Sequence, residues 1–417
     1  MRRAALLLLL AALLSGGSGG AAFPAESRKA RAERARQEQA RAERARREQA
    51  KAKAESEERR AVQGYRDALR ASPGDTAAMI GLADAYASGR GVAKDEAEAI
   101  AWYRKAADAG SPQGRYALAS RYASGRGMER DYAEAARWCR LAAGQGHPQA
   151  ESLLGFLYER GMGVPMDGTE ALAWYRRAAD SGDVASQKLI AWRYLEGKGA
   201  PRDPVSAAFW YRRAAEAGDA DAQGRLAALL RAGTGVQRDD VEAFRWYTLA
   251  AKGGNAEAFA GLGRMLLYGR GTQPDPEAAA TWIRKAADRG VPEGQFLLGI
   301  LYAYGRTVPQ DEGEALSWFR RAAEEGDVDA QLQLAGMFLA GRGVPADDNA
   351  AAGWYLRAAE SGSAEAQAML GWMHEAGRGV PRDLDEAARR FRQAAGQGNA
   401  LAREHLRYLE SLPPGSR

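Results

Sequence analysis

From Asp75 to Gly398 the apolar positions repeat with a period of 36 residues. Each period holds two apolar stretches of helical length. The first carries the column Leu82, Leu118, Leu154, Ile190, Leu226, Leu262, Leu298, Leu334, Leu370 and Leu406. The residue after each is mostly Ala or Gly. Four residues beyond comes mostly an aromatic: Tyr86, Tyr122, Tyr158, Tyr194, Tyr302 and Phe338. The second stretch carries Trp102, Trp138, Trp174, Trp210, Trp246, Trp282, Trp318 and Trp354, without a slip, and ends in Ala-Ala and a glycine. Spacings of three and four predict amphipathic helices. A fixed period of this length marks supersecondary units that bury their apolar faces only by stacking. Each unit is therefore an A helix and a B helix, with the tryptophans and the residue after each expected in the shared core.

The polar positions between these stretches punctuate them. Gly89, Gly125, Gly161, Gly197, Gly233, Gly269, Gly305, Gly341 and Gly377 follow the A helices, and a second glycine stands two residues on except at Thr307. A glycine there supplies the left-handed conformation that ends a helix. Asp95, Asp131, Asp167, Asp203, Asp239, Asp275, Asp311, Asp347 and Asp383 then form an unbroken column, placed to cap the B helices. Glu98, Glu134, Glu170, Glu242, Glu314 and Glu386, three residues later, make a variant of the capping box. The copies without this acid are expected to start less firmly.

The chain before the units differs in kind. Met1-Arg-Arg, an apolar run from Ala4 to Leu14 and small residues to Ala22 read as a secretory signal peptide, residues 1–22. The run is too short for a standard membrane span, although an uncleaved anchor stands as the alternative. No cysteine follows it, which excludes a lipoprotein anchor. With the Ala-, Arg- and Gly-rich composition, this predicts an exported protein of the bacterial periplasm. Residues 23–60 form a charged Ala/Glu/Arg arm with a ten-residue motif, RAERARQEQA then RAERARREQA. The Ala, Glu, Gln, Arg and Lys that make up nearly all of Glu26 to Arg60 favour helix, but no apolar seam exists for a coiled coil. Glu26 to Arg60 holds 13 basic and 8 acidic residues, so the excess positive charge lies in the leader and arm and the repeats are near neutral. Such an arm is either a spacer or a contact for an anionic surface. Nucleic acid is not expected as a partner, since export removes it and no aromatic interleaves the charges.

Catalytic chemistry finds little support. The three histidines, His147, His374 and His405, fall in different units. Cys139 is the only cysteine and takes the place after a tryptophan, where it reads as a small core hydrophobe. No metal-ligand spacing or nucleotide loop occurs, so no cofactor, metal or catalytic residue is expected and the chain reads as a non-enzyme.

The consensus A-x-A-x-x-L-G-x-x-Y-x-x-G-x-G-V, then D-x-x-E-A-x-x-W-Y-R-x-A-A-x-x-G, resembles the Sel-one-like repeat family, a relative of the tetratricopeptide repeats. The resemblance spans nine repeats over residues 75–398. It is flanked by a capping half-repeat at residues 61–74 and a C-terminal capping helix and tail at residues 399–417. It implies an all-α fold, a right-handed α/α superhelical solenoid, whose relatives act as adaptors for protein complexes.

Counting each unit from Asp75 and its equivalents, positions 5, 8, 9 and 12 are the buried face of helix A, and positions 3, 6, 10 and 13 lie nearly opposite. That face carries Tyr116, Phe156, Trp192, Phe296, Ile300, Leu332 and Trp372, with Tyr268 and Tyr304 at its edge. By resemblance it lines a concave groove. Tyr116, Phe156, Trp192, Tyr268, Phe296, Tyr304 and Trp372 are accordingly the candidate partner-binding residues; packing against the adjacent unit is the other reading. Acids at position 3 (Asp221, Glu257, Glu293, Asp329, Glu365) either recognise a basic partner or complement helix N-termini. Two functions fit: a non-catalytic scaffold holding a protein or peptide, and a module binding carbohydrate or cell-wall glycan.

Overall fold

A computed structural model describes residues 28–412. The leader Met1–Ala22 and the last residues of the tail lie outside this range. Twenty helices and no strands occur among the described residues, and no helix is long and apolar enough to cross a membrane. The chain divides into two compact units, one running to Gly114 and including Arg126–Met128, the other holding Arg115–Gly125 and Glu129 onward.

In the first unit, α1 spans Arg28–Ala71, α2 Thr76–Ser88 and α3 Glu96–Asp108. From Arg28 to Ala71 the charged arm and most of the half-repeat form one uninterrupted helix. Exposed pairs one turn apart, such as Arg47 with Glu43 at 2.5 Å, run along its free part. Its end takes the place of a B helix. Val62 packs with Leu82 and Ala85, and the Tyr65 ring lies so close to Gly81 that a Cβ there would meet it at 2.5 Å. At the far end of α2, a Cβ on Gly91 would lie 2.5 Å from the Glu58 carbonyl oxygen.

The second unit repeats one hairpin. α4 spans Pro112–Ser124, most of it in this unit, and α5 Tyr132–Ala143. Then come α6 Pro148–Arg160, α7 Gly168–Asp180, α8 Val184–Glu196, α9 Pro204–Glu216, α10 Ala220–Ala232 and α11 Asp240–Lys252. The series continues through α12 Ala256–Tyr268, α13 Pro276–Asp288, α14 Pro292–Tyr304, α15 Glu312–Glu324, α16 Val328–Ala340 and α17 Asp348–Glu360. It closes with α18 Ala364–Ala376, α19 Leu384–Gly396 and α20 Ala400–Ser411. From α6 to α18, each A helix packs chiefly on the B helix of its own repeat and next on the B helix before it. Among the described residues no B helix follows α20, and Arg403, Glu404 and Arg407 on it are exposed.

The caps explain the boundaries. Each Asp in the column has extended backbone or nearly so, and its carboxylate accepts from amides two or three residues on, as Asp239 does from Glu242 at 2.8 Å. The capping-box expectation is corrected. Asp203, Asp275 and Asp347, which lack the following Glu, cap at 3.1, 2.9 and 2.9 Å. Glu134, Glu242 and Glu314 instead accept from the indole N–H of the Trp four residues later, at 3.0–3.1 Å. The second loop glycine is required by close approach. A Cβ on Gly271 would lie 1.9 Å from the Asp240 carbonyl oxygen, and φ there is +70°. Thr307 adopts φ 62° in the same place.

The core differs from the expectation in one respect. Tyr175, Tyr211, Tyr247, Ile283, Phe319 and Tyr355, each following a tryptophan, are all buried. Of the tryptophans themselves only Trp138 and Trp210 are; the other six are half-buried. An indole is large and partly polar, and most of these rings settle at the edge of the core, several of them beneath a cation three residues on. Arg177, Arg213, Arg321 and Arg357 lie 4.5–5.3 Å from the centroids of Trp174, Trp210, Trp318 and Trp354.

Candidate functional site

In the second unit, the A-helix face opposite the core opens into two adjoining depressions that share Leu189. One, of about 450 Å³, is lined by Tyr116, Ser120, Gln149, Ser152, Phe156 and Ser186 among others. The other, of about 640 Å³, is lined by Lys188, Trp192, Tyr211, Asp221, Arg225 and Glu257 among others. Helical periodicity brings these side chains together. Tyr116 and Ser152 stand at position 6, and Ser120, Phe156 and Trp192 at position 10, so successive A helices place them in neighbouring rows. Phe156 and Trp192 are each 40 % exposed.

The structure distributes the seven sequence-derived residues three ways. Tyr116, Phe156 and Trp192 share this groove. Tyr268 and Tyr304 are the last residues of α12 and α14 and are exposed outside it. Phe296 and Trp372 are half-buried and contribute to interior packing: Phe296 lies 5.8 Å from Phe319, and Trp372 packs against the last repeats and the cap. Sequence reading passed over Leu401 and Tyr408 on α20, both more than half exposed. Extending positions 3 and 10 into the capping helix would have found them.

The groove floor is held by a polar network. The Tyr175 hydroxyl donates to Glu159 Oε2 at 3.0 Å, and Arg193 donates to Glu159 Oε1 at 2.5 Å. Burial, then the hydrogen bond to Glu159, raises the Tyr175 pKa. Tyr116 stacks on His147 with ring centroids 4.8 Å apart, and burial raises its pKa too. Three of the five position-3 acids, Asp221, Glu257 and Glu293, are engaged within the protein. Lys188 bridges Asp219 at 2.8 Å and Asp221 at 3.4 Å; Arg225 reaches Glu257 at 3.5 Å and Arg264 reaches Glu293 at 2.6 Å. Burial pulls the Lys188 pKa down, but hydrogen bonds and charge from Asp219 and Asp221 outweigh it and the pKa is raised. The Asn255 side chain, donating at 2.8 Å, is the main cause of a lowered Asp221 pKa.

Reactive groups do not converge here. Cys139 is buried, which pushes its thiol up to about 12 and keeps it a neutral core residue at physiological pH. Among the described residues no cluster of His, Cys, Asp and Glu could hold a metal ion.

A family model of the Sel1 repeat matches nine consecutive segments: residues 76–111, 112–147, 148–183, 184–219, 220–255, 256–291, 292–327, 328–363 and 364–399. The chain belongs to the Sel1 repeat family. These segments differ by one residue from the sequence-derived register of 75–398. Sel1 repeat proteins of solved structure share the fold. A protective antigen of uropathogenic Escherichia coli strains displaying an SLR fold is 33% identical, with a TM-score of 0.63, over 84% of this chain and 83% of that one. A Sel1 repeat protein from Oxalobacter formigenes is also 33% identical, with a TM-score of 0.57, over 74% of this chain and 90% of that one. No curated protein matches the sequence. Sel1 repeat solenoids generally mediate protein–protein interaction and are typically non-catalytic scaffolds.

Proposed function

We propose that this Sel1 repeat protein is a non-catalytic scaffold of the bacterial cell envelope that holds a protein partner in the Tyr116–Phe156–Trp192 groove. The observation that carries this reading is the exposure of two large rings in adjacent repeats, at a position that elsewhere within the nine repeats is small, charged or half-buried. Exposed aromatics anchored on a rigid floor are the usual energetic centre of a protein interface. The leader supports export, and α1 serves as a charged spacer ahead of the repeats. Cross-linking in the native compartment, followed by capture with wild type and with Phe156→Ala/Trp192→Ala, tests the groove. A partner retained equally by both proteins would disprove it. Fractionation with and without residues 1–22 tests the compartment.

A second reading, a glycan-binding module, draws on one observation. Ser120, Gln149, Ser152 and Ser186 surround Tyr116 and Phe156 with neutral hydrogen-bonding groups, the mixture a sugar ring offers in return. Binding to purified cell-wall polymer that is lost in the same double variant, with no protein captured, would favour it.

A further inference from the structure

Two cations flank the exposed rings of the groove. The Lys198 ammonium lies 4.8 Å from the Trp192 centroid, and the Arg160 guanidinium lies 5.9 Å from that of Phe156. Both side chains are exposed, and neither has an ion-pair partner among the described residues.

Lys198 lacks a partner that two of its counterparts have, as does Arg306, which follows Pro276 by thirty residues. Its counterparts Arg126 and Arg378 occupy the same place in the loop after an A helix. Each pairs with the first residue of the preceding B helix: Arg126 with Glu96 at 3.0 Å, Arg378 with Asp348 at 2.7 Å. Thirty residues before Lys198 that acid is replaced by Gly168, the first residue of α7. The internal partner has been removed in the repeat where Trp192 is exposed. The opposite side of the groove behaves differently. Asp221 is held by Asn255 and Lys188, Glu257 by Arg225, and Asp183 caps α8 by accepting from Ser186 at 2.8 Å. A basic segment entering the groove would have to displace an existing partner to reach any of these acids. An acidic one finds two cations ready.

Resting on the groove reading above, we propose that the occupant is an acidic-apolar polypeptide segment. Its aromatic or aliphatic side chains lie on Phe156 and Trp192, and flanking carboxylates pair with Arg160 and Lys198. Charge-assisted hydrogen bonds to lysine and arginine beside a desolvated ring are stronger than the same bonds in open water. The pairing also sets which way the segment runs, because the cations lie on the loop side of the rings.

The test uses the full chain and three labelled peptide series of equal length. They share the same Leu and Phe positions and carry Asp/Glu, Ser/Gln or Lys/Arg between them; fluorescence anisotropy reads binding. The acidic series is expected to bind most tightly and to weaken with added salt. Lys198→Glu/Arg160→Glu should weaken it about tenfold or more and improve the basic series. Both side chains are exposed, and a thermal melt confirms that the variant folds. Equal affinity of the neutral or basic series, or an acidic affinity unmoved by charge reversal, overturns the proposal. If binding in that case is still lost in Phe156→Ala/Trp192→Ala, the groove stands and only the acidic preference falls. If no series binds, or the aromatic double variant binds like wild type, the groove reading falls with it.

Discussion

The residue after each tryptophan on the B helices and position 10 on the A helices recur with the same period, yet they obey different constraints. The first reads Tyr175, Tyr211, Tyr247, Ile283, Phe319 and Tyr355, every one enclosed by neighbouring helices. The second reads Ser120, Phe156, Trp192, Ala228, Arg264, Ile300, Gly336, Trp372 and Tyr408. Close packing from all sides restricts polarity above all, so the first column stays apolar or aromatic, from the small Cys139 through Ile283 to the tyrosines. A column facing outward tolerates nearly anything, and its departures from the common pattern are where specificity can reside. The shared residues thus report on the stack, and the odd ones on what it holds.

The largest test of this contrast sets Trp210 against Trp192. Trp210 is 4 % exposed and Trp192 is 40 % exposed. Trp210→Ala should cost about 3–5 kcal/mol, the usual range for emptying a core aromatic site, whereas Trp192→Ala should cost about 1 kcal/mol or less. Denaturant melts of both variants provide the check. Equal losses would mean that outward position 10 carries as much of the stack as the core does.

The next test strains a single loop. Thr307 stands where the other loops place glycine, and its φ of 62° is a region that β-branched residues avoid. Its counterpart Gly271 sits against the backbone of the preceding B helix. Thr307→Gly should therefore stabilise by about 1–2 kcal/mol, the penalty for an L residue in left-handed backbone. A melting temperature that falls would show that the threonine hydroxyl, which donates to the Arg306 carbonyl at 2.5 Å, compensates for the strain.

These contrasts also show what the sequence could and could not say. The Leu column, the Asp caps and the loop glycines were legible because each is dictated by contacts that every repeat makes in the same way. The depth of the tryptophans was misread because size alone suggests burial, while the Arg or Lys three residues after six of the eight already offers the ring a place at the edge of the core. The acids at position 3 were open to two readings. Their partners Lys188, Arg225 and Arg264 lie a full repeat earlier, a pairing that helical periodicity does not reveal. Likewise 100° steps placed Tyr116, Phe156 and Phe296 on one face, but which of them would sink into the packing depended on neighbours such as Phe319.

A smaller effect comes from position 5, a third kind of column. Gln187, Gln223, Gln331 and Gln367 each donate to an Ala carbonyl near the end of the preceding B helix, at 3.0–3.3 Å. Glu151 takes this place in its repeat, buried, with Arg177 at 3.4 Å. Burial outweighs Arg177 and raises its pKa. A carboxyl with a raised folded-state pKa adds stability below its ordinary value, about 4.3, and loses it as pH rises through the folded value. Glu151→Gln supplies the missing amide donor and removes the buried charge. It should stabilise by about 1 kcal/mol at neutral pH, and the gain should shrink as pH falls toward 4. A gain independent of pH would assign the effect to packing alone.

The smallest expected effect lies next to the groove itself. His147 caps α6 where the other repeats, except the one starting at Val291, use Asp, Asn or Ser, and its Nδ1 accepts from the Ala150 amide at 3.3 Å. Accepting there requires the neutral ring with its proton on Nε2. Burial lowers its pKa, outweighing a backbone hydrogen bond that raises it. Above the ordinary histidine value, about 6.5, both folded and unfolded chains are neutral and the cap contributes fully. As pH falls below that, the unfolded chain takes up the proton first, and the contribution drains away through the depressed folded value. His147→Asn preserves an acceptor of the kind Asn255 and Asn399 already supply and cannot titrate. The variant should match wild type within about 0.5 kcal/mol at pH 7.5 and exceed it at pH 5. Because His147 stacks on Tyr116, the same acidification should weaken whatever occupies the groove in wild type more than in the variant. Parallel stability curves for the two proteins from pH 7.5 to 5 would separate this cap from the groove and leave Tyr116 supported by its other neighbours.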